Sequence, residues 1–297
     1  MLLNGLSQQI VDGIVLGAVY ALFAAGYAIV FATLDLLNLA HAAIALAGAL
    51  AAWWLLAVAQ LPVYVALPLA ALLGGVLGLG VNRLAFAPLR RQAAAPLSPV
   101  IAGLALAAIL QGLATGFFGS AVHPYPVIPL LSSALFSTSI GVSSQQLLVL
   151  LLAVLLLALL RRLILTTHYG RAVRAIAENP RSARLLGINV EQVIDRTFFL
   201  AAALGSVAGV LYGLGIQAPA VDLTEPLQLR GLAIIMLGGL GSIPGAIIGG
   251  FALAMLELLS SGFLAAPYRD VVAALILFFV VLLRPSGLLG RQAVREV

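Results

Sequence analysis

Cysteine is absent from the chain, and so is lysine: all fifteen basic residues are arginine. The first absence excludes disulfides and thiol chemistry. The second excludes a phosphate loop of the Walker type, which needs a lysine after its glycine-rich turn. Any ATP-driven process involving this chain must therefore take its ATP on another one. Charge is scarce as well. Charged residues make up 8% of the chain and hydrophobic ones 63%, against about 25% and roughly 45–50% in a soluble domain. The three histidines, His41, His123 and His168, lie far apart in sequence, with no spacing that suits a metal. Ser242 stands beside Gly239 and Gly241 but lacks the glycine two residues further on that a nucleophile elbow uses. No catalytic group, metal site or resident cofactor is expected. The net charge of +5 reads as loop charge on one membrane face and not as a nucleic-acid patch.

What is there is apolar sequence cut into blocks. The composition describes an all-α polytopic membrane protein, one transmembrane domain over residues 1–297. The first residues lack the basic start and cleavage site of a removed signal peptide, and Asp12 sits near the start of the first span. Apolar blocks cover residues 10–30, 41–59, 62–83, 99–118, 146–160 and 197–216. Asp35 and Asn38 break the first from the second, and Trp53 and Trp54 place the end of the second at a membrane surface. Residues 83–96 read as an arginine-bearing loop, 119–144 as an external loop with a short surface helix, and 217–225 as an acidic external segment. Residues 229–237 span only about half of a 30 Å core. The run Gly238-Gly239-Leu240-Gly241-Ser242-Ile243-Pro244-Gly245 that follows cannot be regular helix. It predicts a half-helix, a buried turn and a second helix over 246–259. A last block covers 271–283. The total is eight or nine transmembrane helices, including the half-helix. The arginine-rich ends at 83–91, 161–184 and 284–295 share the cytoplasmic side if the N-terminus is external and the half-helix counts as a crossing.

The one charge-dense island is residues 170–188, with four arginines and Glu178. Such a stretch cannot cross a bilayer core. Alanine and leucine alternate with arginine at helical spacing. Pro180 splits the stretch into two short helices, Asn179 caps the second and Gly187 ends it. Composition alone allows a plain basic loop obeying the positive-inside rule. The order of residues goes further. Gly170-Arg171-Ala172-Val173-Arg174-Ala175, the polar pair Glu178-Asn179 and then Ala183-Arg184-Leu185-Leu186-Gly187-Ile188 resemble the cytoplasmic coupling loop of branched-chain amino-acid type ABC-importer permeases. Leu37-Asn38-Leu39-Ala40-His41 resembles that family's Asn-Phe-Ala-His-Gly segment, departing at Leu39 and Ala42. Leu237 to Gly245 and Arg284-Pro285-Ser286-Gly287-Leu288-Leu289-Gly290 are similar to its glycine-rich turn and its C-terminal motif.

The resemblance implies a permease subunit of the bacterial inner membrane, embedded in lipid, with coupling loop (about 164–195) and C-terminus in the cytoplasm. It implies a second homologous permease, two cytoplasmic ATPase subunits that bind the ATP, and an external solute-binding protein. Arg171, Arg174, Arg181 and Arg184 would then pair with acidic or carbonyl groups on the ATPase. Ala175, Ala183 and Leu186 would fill its groove, with Glu178, Asn179 and Gly187 shaping the loop. Polar residues in or at the ends of apolar blocks, Asn38, His41, Gln111, Gln217 and Glu257, are candidates for the pathway. So is the turn with Gly239, Gly241 and Ser242. Tyr20 and Tyr27 either line a pore or pack, and helix-to-helix hydrogen bonding is the competing reading for each polar residue. The implied substrate is a branched-chain or related amino acid, with urea, short amides and organic acids as alternatives. A stand-alone channel or secondary transporter would need an embedded ionisable relay, of which Glu257 is the one visible member, and would leave the island unexplained.

Overall fold

A computed structural model describes residues 2–92, 95, 97–126, 142–216, 224–263, 269–284 and 287–290, nearly all of them helical. The helices are α1 (Leu2–Leu34), α2 (His41–Trp53), α3 (Val63–Val81), α4 (Ala87–Arg91), α5 (Ser98–Phe118), α6 (Ser144–Thr166), α7 (His168–Glu178), α8 (Pro180–Leu185), α9 (Val190–Ile216), α10 (Thr224–Gly238), α11 (Ile243–Phe263) and α12 (Arg269–Leu283). Among the described residues, seven stretches are long and apolar enough to cross a membrane: 7–34, 41–58, 63–91, 98–118, 144–166, 190–215 and 243–260. Helices α10 and α12 have 15 residues each, about 22 Å at 1.5 Å per residue.

The boundaries follow local chemistry. Helix α1 ends where Asp35 turns to φ +53° and its N–H bonds back to Phe31 O at 2.8 Å. Asp is among the few side chains that accept this left-handed backbone. Helix α6 begins with a capping box: Gln146 N–H donates to Ser143 Oγ and Ser143 N–H to Gln146 Oε1. The expected loop at 83–96 is corrected over 83–91. The chain stays helical there from α3 through a π-helical turn, Asn82–Phe86, into α4, with Arg83 and Arg90 paired to Asp195 and Glu191 of α9. The greater part of the 119–144 and 217–225 segments lies outside the described residues.

Helices α1, α2 and α9 form the buried centre, while α3, α5 and α6 turn most of their surface outward. Small residues set this arrangement, since van der Waals packing rather than water exclusion holds helices together in lipid. Ser206 of α9 fits between Gly48 of α2 and Gly74 of α3: a Cβ on either glycine would come within 2.3 Å of a Ser206 side-chain atom. The Ser206 hydroxyl donates to Ala70 O at 2.7 Å. Helices α10 and α11 form a hairpin whose backbones touch at Gly238 and Gly245.

Candidate functional site

The island folds as two helices that share Asn179. Thr167 opens α7 by accepting from Gly170 N–H at 3.1 Å. Asn179 has extended backbone and accepts from the N–H groups of Arg181 and Ser182 at 2.9 and 3.0 Å, while Pro180 takes the first helical position. Gly187, at φ +80°, ends α8, and Ile188 N–H reaches back to Ala183 O. Helix α7 buries Val173 and Ile176 and half-buries Ala175. The Tyr169 hydroxyl meets Thr197 Oγ1 at 2.8 Å, and burial pushes its pKa up to about 12 against the weaker opposing effect of that hydrogen bond.

The arginines differ in what they hold. Arg171 reaches His168 Nδ1 at 2.9 Å. Arg174 donates to the carbonyl of Ile164, so it fastens α7 to the end of α6. Arg184 pairs with Glu191 at 3.5 Å. Arg171, Arg181 and Glu178 are exposed. The apolar set needs a correction. Ala183 faces inward at 1% exposure, whereas Leu185 and Leu186 stand out at 90% and 79%. The knob a partner could grip is the leucine pair.

A polar network missed in the sequence lies behind α8. Glu191 Oε2 takes Arg90 at 3.4 Å, and Arg90 also donates to Asn82 Oδ1 at 2.9 Å. Asn82 donates to Asp195 Oδ1 at 2.7 Å. Arg83 closes on Asp195 Oδ2 with two donors, at 3.0 and 2.7 Å. The widened turn lets the consecutive side chains Asn82 and Arg83 reach one carboxylate. Glu191 and Asp195, four residues apart on α9, share a face. That spacing was the available signal.

A cavity of about 1270 Å³ opens at this end, bounded by the ends of α1 and α6, by α7, α8 and α9, and by residues 240–244. Arg90, Arg91, Arg174 and Arg184 line it together with Asp35, Glu178 and Glu191. Gly239 (φ +102°) and Gly241 (φ +74°) shape the turn, and Ser242 Oγ caps α11 by accepting from Gly245 N–H at 3.1 Å. The turn sits level with Ala32 of α1, at the α7–α8 end of the bundle and not midway through it. The carbonyls at the end of α10 are satisfied from afar: Leu288 N–H donates to Leu237 O and Leu289 N–H to Gly238 O.

The remaining pathway candidates do not converge on one site. Asn38 is buried and accepts from Ala40 N–H at 3.2 Å, starting α2. The His41 ring is packed between Gly26 and Gly205 and against Phe23 and Tyr27, with Nε2 3.2 Å from Phe23 O. Tyr27 is buried beside it. Gln111 is half-buried on α5. Gln217 lies outside the described residues. Glu257 is buried, accepts from the Tyr20 hydroxyl at 2.9 Å and pairs with Arg230 of α10 at 3.0 Å. Arg230 escaped the sequence reading although it lies inside the 229–237 block, since that block was read only for its length; the acid in α11 was the clue to look for a cation.

Comparison with known proteins gives a consistent result. Residues 9–281 match the family described as branched-chain amino acid transport system, permease component. The high-affinity branched-chain amino acid transport system permease protein LivH of Salmonella typhimurium is 33% identical, with 98% of this chain and 97% of that one aligned. The corresponding protein BraD of Pseudomonas aeruginosa is 33% identical with the same coverage. A shorter match, 27% identical over 44% of this chain and 42% of the other, is to the probable branched-chain amino acid transport permease protein LivM of Methanocaldococcus jannaschii. With helices that suit a bilayer and a match over nearly its full length, the chain belongs to the permease-component family of branched-chain amino acid transport systems.

Proposed function

We propose that this chain is the membrane-spanning permease subunit of an ATP-binding-cassette importer for branched-chain or related amino acids. Two ATPase subunits dock on α7 and α8 and bind the ATP, a second homologous permease completes the pathway, and an external binding protein delivers the solute. The α7–α8 end and the C-terminus face the cytoplasm of a bacterial cell, and the start of α1 faces outward. The observation that supports this reading most directly is the two-sided build of the island. Its inner side is fastened to α6 by Arg174 and to α9 by Arg184, while Leu185 and Leu186 point away from the bundle. A lever needs both a fixed side and a gripped side.

The test is to solubilise the chain from its native membranes and identify what comes with it by mass spectrometry. An ATPase and a second permease are expected. A chain recovered alone would return the island to a plain basic loop and make a stand-alone carrier the better account. Arg174→Glu is expected to abolish coupling with membrane insertion intact, measured as uptake and membrane content. Because Arg174 also fastens α7 to α6, Leu186→Asp is the cleaner probe: it should lose the ATPase from the pull-down without changing thermal stability.

A further inference from the structure

The two helices of the island are held by different spans. Helix α7 is tied to α6 through Arg174 and the Ile164 carbonyl, and a Cβ at Gly170 would come within 2.1 Å of the same carbonyl. Helix α8 is tied elsewhere. Its Arg184 meets Glu191 Oε1 at 3.5 Å, and the other oxygen of that carboxylate meets Arg90 of α4 at 3.4 Å. Each oxygen thus takes one arginine, from two separate elements. Beyond Arg90 the contacts continue without a break through Asn82 and Asp195 to Arg83. Asn82, in the middle of this path, is fully buried, while Arg184 and Arg83 at its two ends are exposed and Glu191 is 43% exposed at its side chain. Glu191 also lies in the first turn of α9, where the exposed N–H groups favour a negative charge.

We propose that Glu191 is a positioning residue for transport: it bridges α8 to the α3–α4 end so that displacement of the docked helices moves α3 and α9 together. The inference rests on the docking of an ATPase at α7–α8. Without the bridge, α8 keeps its junction with α7 at Asn179, the buried Ala183 and its short connection to α9, and a push on the leucine knob no longer reaches Arg90 directly.

The experiment uses the complete importer reconstituted in proteoliposomes with its binding protein. Substrate uptake and ATP hydrolysis are measured on the same vesicles. Glu191→Gln is expected to keep the ATPases bound and hydrolysis active while uptake per ATP falls by about 2- to 30-fold, the range that coupling-network substitutions produce. A second measurement covers the case in which this variant assembles poorly. The chain lacks cysteine, so spin labels can be placed at Leu84→Cys and Ser182→Cys, both exposed positions, in cysteine-free partners. With Glu191 present, the interlabel distance should be the same before and after ATP trapping, because both sites move as one body. In an Arg184→Gln background, which removes only the α8 side of the bridge, the distance should change or broaden on trapping. Unchanged uptake per ATP in Glu191→Gln, or a distance that shifts with ATP when the bridge is intact, overturns the proposal. Loss of the ATPase from the unsubstituted complex instead overturns the docking reading, which separates the two failures.

Discussion

Arg230 and Glu257 are 8% and 1% exposed at their side chains, and the Tyr20 hydroxyl supplies a further donor to the acid. A pair buried this deeply gains little over well-packed apolar residues, but removing one member takes from the other a charged partner in a place where water does not replace it. Glu257→Gln should therefore destabilise the protein by about 3–5 kcal/mol. Replacing both Arg230 and Glu257 by methionine should be milder than either single change. Thermal unfolding of the purified protein in detergent separates these outcomes. If the single variants are as stable as the parent, the pair does not fasten α10 and α11 to α1. His41 follows a different logic. Its ring occupies the gap left by Gly26 and Gly205, so Gly205→Leu is expected to force α2 away from α9 and to lower the amount of protein recovered from membranes.

Helix α10 shows how a short element is kept in place. Its last carbonyls are met by Leu288 and Leu289, about fifty residues downstream, where a regular helix end would use water or a neighbouring turn. The chain can come this close because Gly239 and Gly287 both have positive φ and their backbones touch: a Cβ at Gly239 would lie 2.2 Å from Gly290 N, and one at Gly287 would lie 2.4 Å from Gly239 N. Gly239→Val should cost at least about 1–2 kcal/mol from the left-handed backbone alone, with the clash added. Truncation after Arg284 should leave two carbonyls unpaired at about 1–3 kcal/mol each. Both are read as a lowered melting temperature. The glycine-rich turn was expected from its composition as a break between two helices, and that break is present. Its level in the bundle was not readable there, since nothing local to residues 238–245 says which end of α1 they will meet.

The bundle as assembled places the arginine-bearing ends at 83–91, 161–184 and 284 on the α7–α8 side, around the large cavity or next to it, while Arg269 opens α12 at the other end of that helix. The antiparallel run of α10 and α11 satisfies the parity that the positive-inside pattern requires. Much of this was legible in the chain. Membrane spans follow from runs of apolar residues, the split of the island from Pro180, its cap from Asn179 and its stop from Gly187, because hydropathy and capping act within a turn or two of helix. The rest depends on neighbours distant in sequence. Arg230 finds its acid 27 residues on, Asn82 meets Asp195 across 113, and Ala183 turns inward while Leu185 turns out although both lie on one short helix of six residues. Which side of a helix is covered is set by what packs against it, and no local pattern in a nearly uniform apolar chain carries that information.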